Sequence, residues 1–443
     1  MEQIKRPLAL DTAPFEGAGD QAQARYGLPG TVRFCKRCVI SNQRPNSAVE
    51  FHHTQDTKKA TIHFDDDGVC DACRVAEEKA RIDWPERKRE LTDLCDRYRR
   101  ADGGYDCVVP GSGGKDSFYA AHVLKYQFGM HPLTVTWAPH IYTDWGWDNF
   151  QRWIHAGFDN ILATPNGRVH RLLTRLALEN LFHPFQPFIM GQKNIAPKMS
   201  ALYGIPLVFY GENEAEYGNP KTDTQSARRD WQTFASEDAS KVFLGGVSLA
   251  HLKSDFGLED NDLELYMPAD PAALEATKTD VRYLGYYLKW HPQSCYYYCQ
   301  EHGGFQPSPE RTPGTYSKYN SIDDRIDDFH YYTTFTKFGI GRATADAAQE
   351  IRSGDITRDE GVALVRRYDG EFPERFADEV FRYLSITENE FPAASAMFEQ
   401  PLLDKESFMA MADAFRSPHL WAHKGGTWDL RHTVWRDQSD RET

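Results

Sequence analysis

The hexapeptide Ser112-Gly-Gly-Lys-Asp-Ser117 constrains this chain more than any other feature, because of what stands on either side of it. Before it, 106–110 (Asp-Cys-Val-Val-Pro) is a short apolar run that reads as a buried strand. After it, 117–128 reads as a helix stopped by Gly129. A strand that passes through glycines straight into a helix leaves backbone N–H groups at the positive end of that helix. This is a cradle for an anion, since no side chain blocks its approach. Ser112 and Ser117 add hydroxyl donors. The alternation continues, with strands predicted at 133–137, 158–163 and 206–210 and helices at 146–156, 167–181 and 189–203. Such a pattern predicts a parallel sheet covered on both faces, with the loops that follow its strands gathered along one ligand-binding edge.

Two familiar phosphate loops are excluded. A Walker loop needs four residues between its glycines and a Lys followed at once by Ser or Thr, whereas Lys115 is followed by Asp116. A dinucleotide fingerprint needs a third glycine where Asp116 stands. An aspartate at a phosphate-binding helix start is costly unless a cation shares it. Mg²⁺ between Asp116 and phosphate oxygens resolves that cost.

Eight cysteines in a chain without a visible secretory signal do not read as a disulfide framework. Four form two CxxC pairs, Cys35/Cys38 and Cys70/Cys73, separated by 31 intervening residues from 39 to 69. That spacing points to one zinc ion per chain, held tetrahedrally by the four thiolates and stapling a module too small to hold a core of its own; iron–sulfur ligation and free thiols are the alternatives. Cys295 and Cys299 lack this spacing and read as buried thiols.

The expected organisation is an extended arm over 1–31, a four-cysteine zinc module with a linker helix over 32–100, a phosphate-loop domain over 101–220, an insertion of uncertain structure over 221–290, and an aromatic-rich, mostly helical region over 291–443. The fold class is α/β, with a parallel-sheet core between the zinc module and the C-terminal helices. No run approaches the ~18 apolar residues of a membrane helix, so a cytoplasmic protein is expected. The formal charge of −14 lacks the basic field that favours nucleic acid.

Ser-Gly-Gly-x-Asp-Ser resembles the pyrophosphate loop (PP-loop) of the ATP pyrophosphatase superfamily. That implies binding of ATP through Gly111, Ser112, Gly113, Gly114, Lys115, Asp116 and Ser117, and cleavage between its α and β phosphates. Further segments resemble the N-acetyl sugar amidotransferase family of bacterial O-antigen and pseudaminic–legionaminic acid pathways. They are Cys35-Lys-Arg-Cys-Val-Ile40 with Arg44-Pro45, Asp67-Gly-Val-Cys-Asp-Ala-Cys73, the Gly111–Ser117 loop, Tyr210-Gly-Glu-Asn-Glu214, Gly314-Thr-Tyr-Ser-Lys-Tyr319, His330-Tyr-Tyr332 and Lys337-Phe-Gly-Ile-Gly-Arg342. The similarity runs from about residue 32 to about 375. It implies adenylation of an acetamido oxygen on a nucleotide-linked diacetamido sugar. Displacement by ammonia then gives an acetamidino group, AMP and pyrophosphate. It also implies ammonia from a separate glutaminase subunit with a cyclase-like partner.

Asp116 and Ser117 are the first candidate catalytic residues. Glu212 and Glu214, with Asn213, follow the last strand, where they bind Mg²⁺ or guide ammonia, unless they form a solvated acidic turn. Lys193, Lys318, Lys337 and Arg342 are candidates for phosphate or carboxylate contacts of the substrate. Two other readings compete. A tRNA thiolation enzyme would need a reactive cysteine near the loop, for which Cys107 is the nearest in sequence. A nucleotide-sensing module would need no chemistry at all.

Overall fold

Alternation of side chains along the strands decides how the sheet is covered. In the computed structural model, which describes residues 10–17, 22–47, 49–219, 226–386 and 403–439, β1 (Cys107–Pro110), β2 (Pro132–Trp137), β3 (Asp159–Ala163) and β4 (Leu207–Tyr210) fall where the sequence pattern puts them. All pair in parallel. On β1 and β4, Val108 and Val208 enter one core with the helices Gly167–Leu181 and Gln186–Tyr203. Cys107, Val109, Leu207 and Phe209 enter the other, with the helices Lys115–Tyr126 and Asp144–His155. Burial on both faces is what makes these strands continuous apolar runs.

The segment expected as an insertion differs from its reading. After a two-residue hairpin (β5, Phe243–Leu244; β6, Val247–Ser248), it supplies β7 (Asp280–Tyr283), a fifth parallel strand beside β4. The run Asp-Val-Arg-Tyr offers too little apolar length to announce a strand. Its side chains are satisfied by neighbours instead, Arg282 pairing with Asp280 at 2.7 Å. The sheet order is β3-β2-β1-β4-β7. The order in which strands are added therefore switches to the other side of β1 at β4, and the crevice beyond their carboxyl ends is the switch point where ligands of open α/β sheets bind.

The C-terminal region is helical through Asp327–Phe338, Arg342–Ser353, Arg358–Tyr368, Ala377–Leu384 and Lys405–Phe415. The Trp- and His-bearing tail is not. It forms a hairpin of β8 (Trp421–Lys424) and β9 (Thr427–Leu430) around Gly425 and Gly426, both at positive φ. A Gly-Gly pair between alternating strands is the turn signal for this shape. The N-terminal arm is held rather than loose where it is described. Phe15 is fully buried edge-on to Trp428, and the Arg25 guanidinium donates to the Ala414 and Arg416 carbonyls at 2.9 and 2.8 Å.

The single linker helix expected at the end of 32–100 is two helices, Asp71–Lys79 and Trp84–Tyr98, the second capped by Asp83 with Pro85 in its first turn. The four-cysteine module packs on the helices Arg342–Ser353 and Arg358–Tyr368 through Val39, Ile340, Ala347 and Val362. Among the described residues, no helix is long and apolar enough to cross a membrane.

Candidate active site

The Ser112–Ser117 loop leaves the end of β1 and its lysine begins the Lys115–Tyr126 helix. Gly113 sits at φ +84°, and a Cβ there would stand 2.7 Å from the Phe150 Cα. A Cβ on Gly111 would meet the Ser117 Cβ at 2.1 Å. Both glycines are required by space, not merely tolerated, and the loop stays close enough to the helix start to expose its N–H groups. The Ser117 hydroxyl donates to the Gly114 carbonyl at 3.0 Å.

The loop after β4 lies alongside. A Cβ on Gly211 would come within 3.5 Å of the Asp116 carbonyl oxygen. Buried Lys115 reaches the Asp116 Oδ2 at 2.5 Å, while Asp116 Oδ1 is buried with no hydrogen-bond partner. Burial alone would strip the Lys115 proton, but Asp116 and Glu212 outweigh it and hold the ammonium above the ordinary lysine value. Burial, joined by the Asp116 carboxylate and opposed by Lys115, pushes the Glu212 carboxyl up to about 7. Two carboxylates and one lysine thus meet at the switch point, and the orphaned Asp116 oxygen suits a hard cation such as Mg²⁺.

Glu214 has a different role from Glu212. It pairs with the buried Arg229 at 2.8 Å, and Arg229 in turn lies 4.4 Å over the Tyr210 ring. Burial opposes ionisation of Glu214, but Arg229 and Lys193 outweigh it and hold the carboxyl below the usual range. Asn213 caps its own short turn by accepting from the Ala215 N–H.

These groups line a cleft of about 610 Å³ whose opposite wall comes from the C-terminal region. Asp323, Asp327, His330, Tyr331, Arg342 and Asp346 face it. Arg342 pairs with Asp346 at 3.0 Å, donates to the Tyr331 hydroxyl and lies 4.3 Å over that ring. Burial, with Asp323 and Asp324 nearby, raises the Asp327 carboxyl well above its ordinary value. Lys193 also reaches the cleft from the Gln186–Tyr203 helix.

Two of the lysine candidates lie elsewhere. Lys318 is spent on the Pro309 carbonyl at 2.9 Å at the surface. Lys337 is buried and donates to the Leu181 carbonyl at 2.7 Å, capping the last turn of the Gly167–Leu181 helix. The rings of Tyr26, Phe338 and Phe415 surround its ammonium. A cation at a helix carboxyl end is a structural device, which the sequence neighbourhood of Lys337 disguised.

Sequence reasoning does not single out Arg229, Asp323 or Asp327, and it names Tyr331 only within the family-like segment His330-Tyr-Tyr332. The available signal is the acidic run Asp323-Asp324 and Asp327-Asp328. Cys107 is fully buried within β1, and Cys295 and Cys299 are buried beneath the loop, where the Cys299 thiol donates to the Lys115 carbonyl at 3.0 Å.

Cys35, Cys38, Cys70 and Cys73 are buried together, with Cys35–Cys73 and Cys38–Cys70 sulfur separations of 3.9 and 3.8 Å. A tetrahedron with Zn–S bonds of about 2.3 Å has sulfur–sulfur edges of about 3.8 Å. The cluster is compatible with zinc on geometry as well as on ligand type.

With this arrangement established, two comparisons bear on it. Residues 313–434 match the family model described as LPS biosynthesis protein WbpG-like, C-terminal domain. That is the region forming the cleft's second wall, and the match ties it to proteins of lipopolysaccharide biosynthesis. A stretch of 83 residues is 32% identical to uncharacterized protein MJ1599 of Methanocaldococcus jannaschii, covering 19% of this chain and 29% of that protein. The chain spans less than a third of the length of this curated relative.

Proposed function

We propose that the chain is an ATP-dependent amidotransferase of surface-polysaccharide biosynthesis. It adenylates the acetamido oxygen of a nucleotide-linked diacetamido sugar and installs ammonia in its place, releasing AMP and pyrophosphate. The observation that carries this reading is the placement of one cleft between the glycine-only loop and the segment similar to a lipopolysaccharide-biosynthesis domain.

Within this scheme the loop N–H groups and Lys115 hold the β and γ phosphates, leaving the α phosphorus open toward the cleft. An amide oxygen attacks that phosphorus, pyrophosphate leaves, and the adenylated carbon becomes electrophilic enough for ammonia. Glu212, with its carboxyl near 7, takes the proton released as ammonia attacks. Asp116 would hold Mg²⁺ beside the phosphates, and the ion would supply charge neutralisation there. Arg342, steadied by Tyr331 and Asp346, and Arg229, steadied by Glu214, offer guanidinium donors to the anionic parts of the sugar nucleotide. Cys35, Cys38, Cys70 and Cys73 would hold a zinc ion that staples the N-terminal module, which packs on the helices of the second wall. Ammonia comes from a separate glutaminase subunit with a cyclase-like partner.

The test is incubation with ATP, Mg²⁺, ammonium and candidate nucleotide-linked diacetamido sugars, followed by mass spectrometry for exchange of the amide oxygen for NH. Amidine formation dependent on ATP supports the proposal. Consumption of ATP with tRNA and a sulfur donor, but with no such sugar, overturns it in favour of thiolation.

A further inference from the structure

We infer that Glu50, His53 and His183 form a second metal site, which takes a zinc-class divalent ion through two imidazole nitrogens and one carboxylate oxygen. The spacing of the cysteines alone leads one to expect a single ion per chain, and these three residues have no part in the chemistry proposed above.

The ligands are brought together by local structure on two sides. Glu50 opens the short 3₁₀ turn Glu50–His52, whose three-residue period lines up side chains three apart, so Glu50 and His53 point the same way. His183 follows Phe182, a non-glycine residue at φ +48° that ends the Gly167–Leu181 helix in the left-handed conformation. That strained turn aims His183 back at the Glu50 carboxylate.

The separations fit three ligands around one ion. His53 Nδ1 lies 3.4 Å and His183 Nε2 lies 3.7 Å from the same Glu50 Oε2, and one ligand atom from each residue lies within 4.8 Å of the others. His53 and Glu50 make a hydrogen bond at 3.4 Å, longer than the usual range of about 2.7–3.2 Å. Two donor atoms each about 2.1 Å from one ion at tetrahedral angles stand about 3.4 Å apart. Glu50 and His53 are nearly sealed from solvent, and His183 is largely buried. The Glu50 backbone is fixed as well, its carbonyl accepting from the Gln186 side chain at 2.9 Å.

Three protein ligands of the N₂O type leave one position for water or an incoming group. The His183 ring stacks on His330 at 5.0 Å between centroids, and His330 lines the cleft. The site therefore stands directly behind the cleft wall and joins the N-terminal module to the sheet domain.

The experiment is zinc and cobalt titration of the full chain, read by elemental analysis after gel filtration and by visible absorption. Two equivalents are expected. One gives thiolate-to-cobalt charge-transfer bands, and the other gives ligand-field bands without them. His183→Gln and Glu50→Gln each reduce two equivalents to one and spare the thiolate bands. A single equivalent in the unaltered chain with thiolate bands alone overturns the inference. So do two equivalents retained in a folded His183→Gln variant. If that variant does not fold, the unaltered chain's count of one or two still decides.

Discussion

Gly113→Ala is the most exposed consequence of the loop geometry. Alanine at φ +84° sits in the left-handed region, which costs an L residue about 1–2 kcal/mol. Its Cβ would stand 2.7 Å from the Phe150 Cα and 2.8 Å from the Asn149 carbonyl oxygen. Ordinary contact needs about 3.5–4.0 Å, so the Asp144–His155 backbone must retreat by about 1 Å. Its interior face carries Phe150 and Trp153, so that retreat costs a further ~1–3 kcal/mol. The sum is about 2–5 kcal/mol. Gly114→Ala is the matched control, one residue away. Its φ is −65°, its Cβ would meet only the Ser112 hydroxyl at 3.7 Å, and the change should cost no more than about 1 kcal/mol. Urea denaturation of the two variants should show a lower midpoint for Gly113→Ala at unchanged slope and little movement for Gly114→Ala. Equal stability of the two would refute the loop conformation on which the phosphate cradle depends.

Other changes follow from the same geometry. Asp116→Ala removes the orphaned oxygen together with the one that pairs with buried Lys115, so turnover should fall at least about a hundredfold and the melting temperature should fall with it, as an activity assay and a melting curve will show. Cys70→Ser should release the cysteine-held ion and lower stability, with elemental analysis and a melting curve as the two readouts. Phe408→Ala, at a fully buried ring touching Phe182, Phe329 and Phe381, should cost about 3–5 kcal/mol in denaturant titration. Arg342→Ala should raise the KM for the sugar nucleotide about tenfold or more, whereas Lys318→Ala, whose ammonium only bonds a surface carbonyl, should leave it within about twofold.

How much of this was legible in the sequence depends on whether the signal was local. β1, β2 and β4 announce themselves as largely apolar runs bounded by glycine, proline or a helix, β3 by its place between two helices, and the two helices closed by Gly354 and Gly370 carry their own stop signals. β7 does not, because an edge strand reading Asp-Val-Arg-Tyr takes its register from β4 rather than from its own composition. The loop residues were likewise local, and so were the four cysteines, whose paired spacing is itself the signal.

The second wall was not. Asp323 and Asp327 become cleft residues only when the second wall packs opposite β1 and β4, and Arg342, named beforehand through its family-like segment, is told from Lys337 only by that packing. Lys337 makes the same point in reverse. It stands five residues before Arg342 in the sequence, yet its partner is the end of a helix some 156 residues earlier. Tertiary placement, not residue type, separates the arginine that faces the cleft from the lysine that caps a helix.

Phosphorus NMR of a turnover mixture containing the full chain, ATP, Mg²⁺, ammonium and a nucleotide-linked diacetamido sugar tests the central claim most directly. AMP and pyrophosphate should accumulate together in equal amounts, and both should vanish with Asp116→Ala. ADP and orthophosphate in their place would mean that the loop holds ATP the other way round, and the account of the cleft would be wrong.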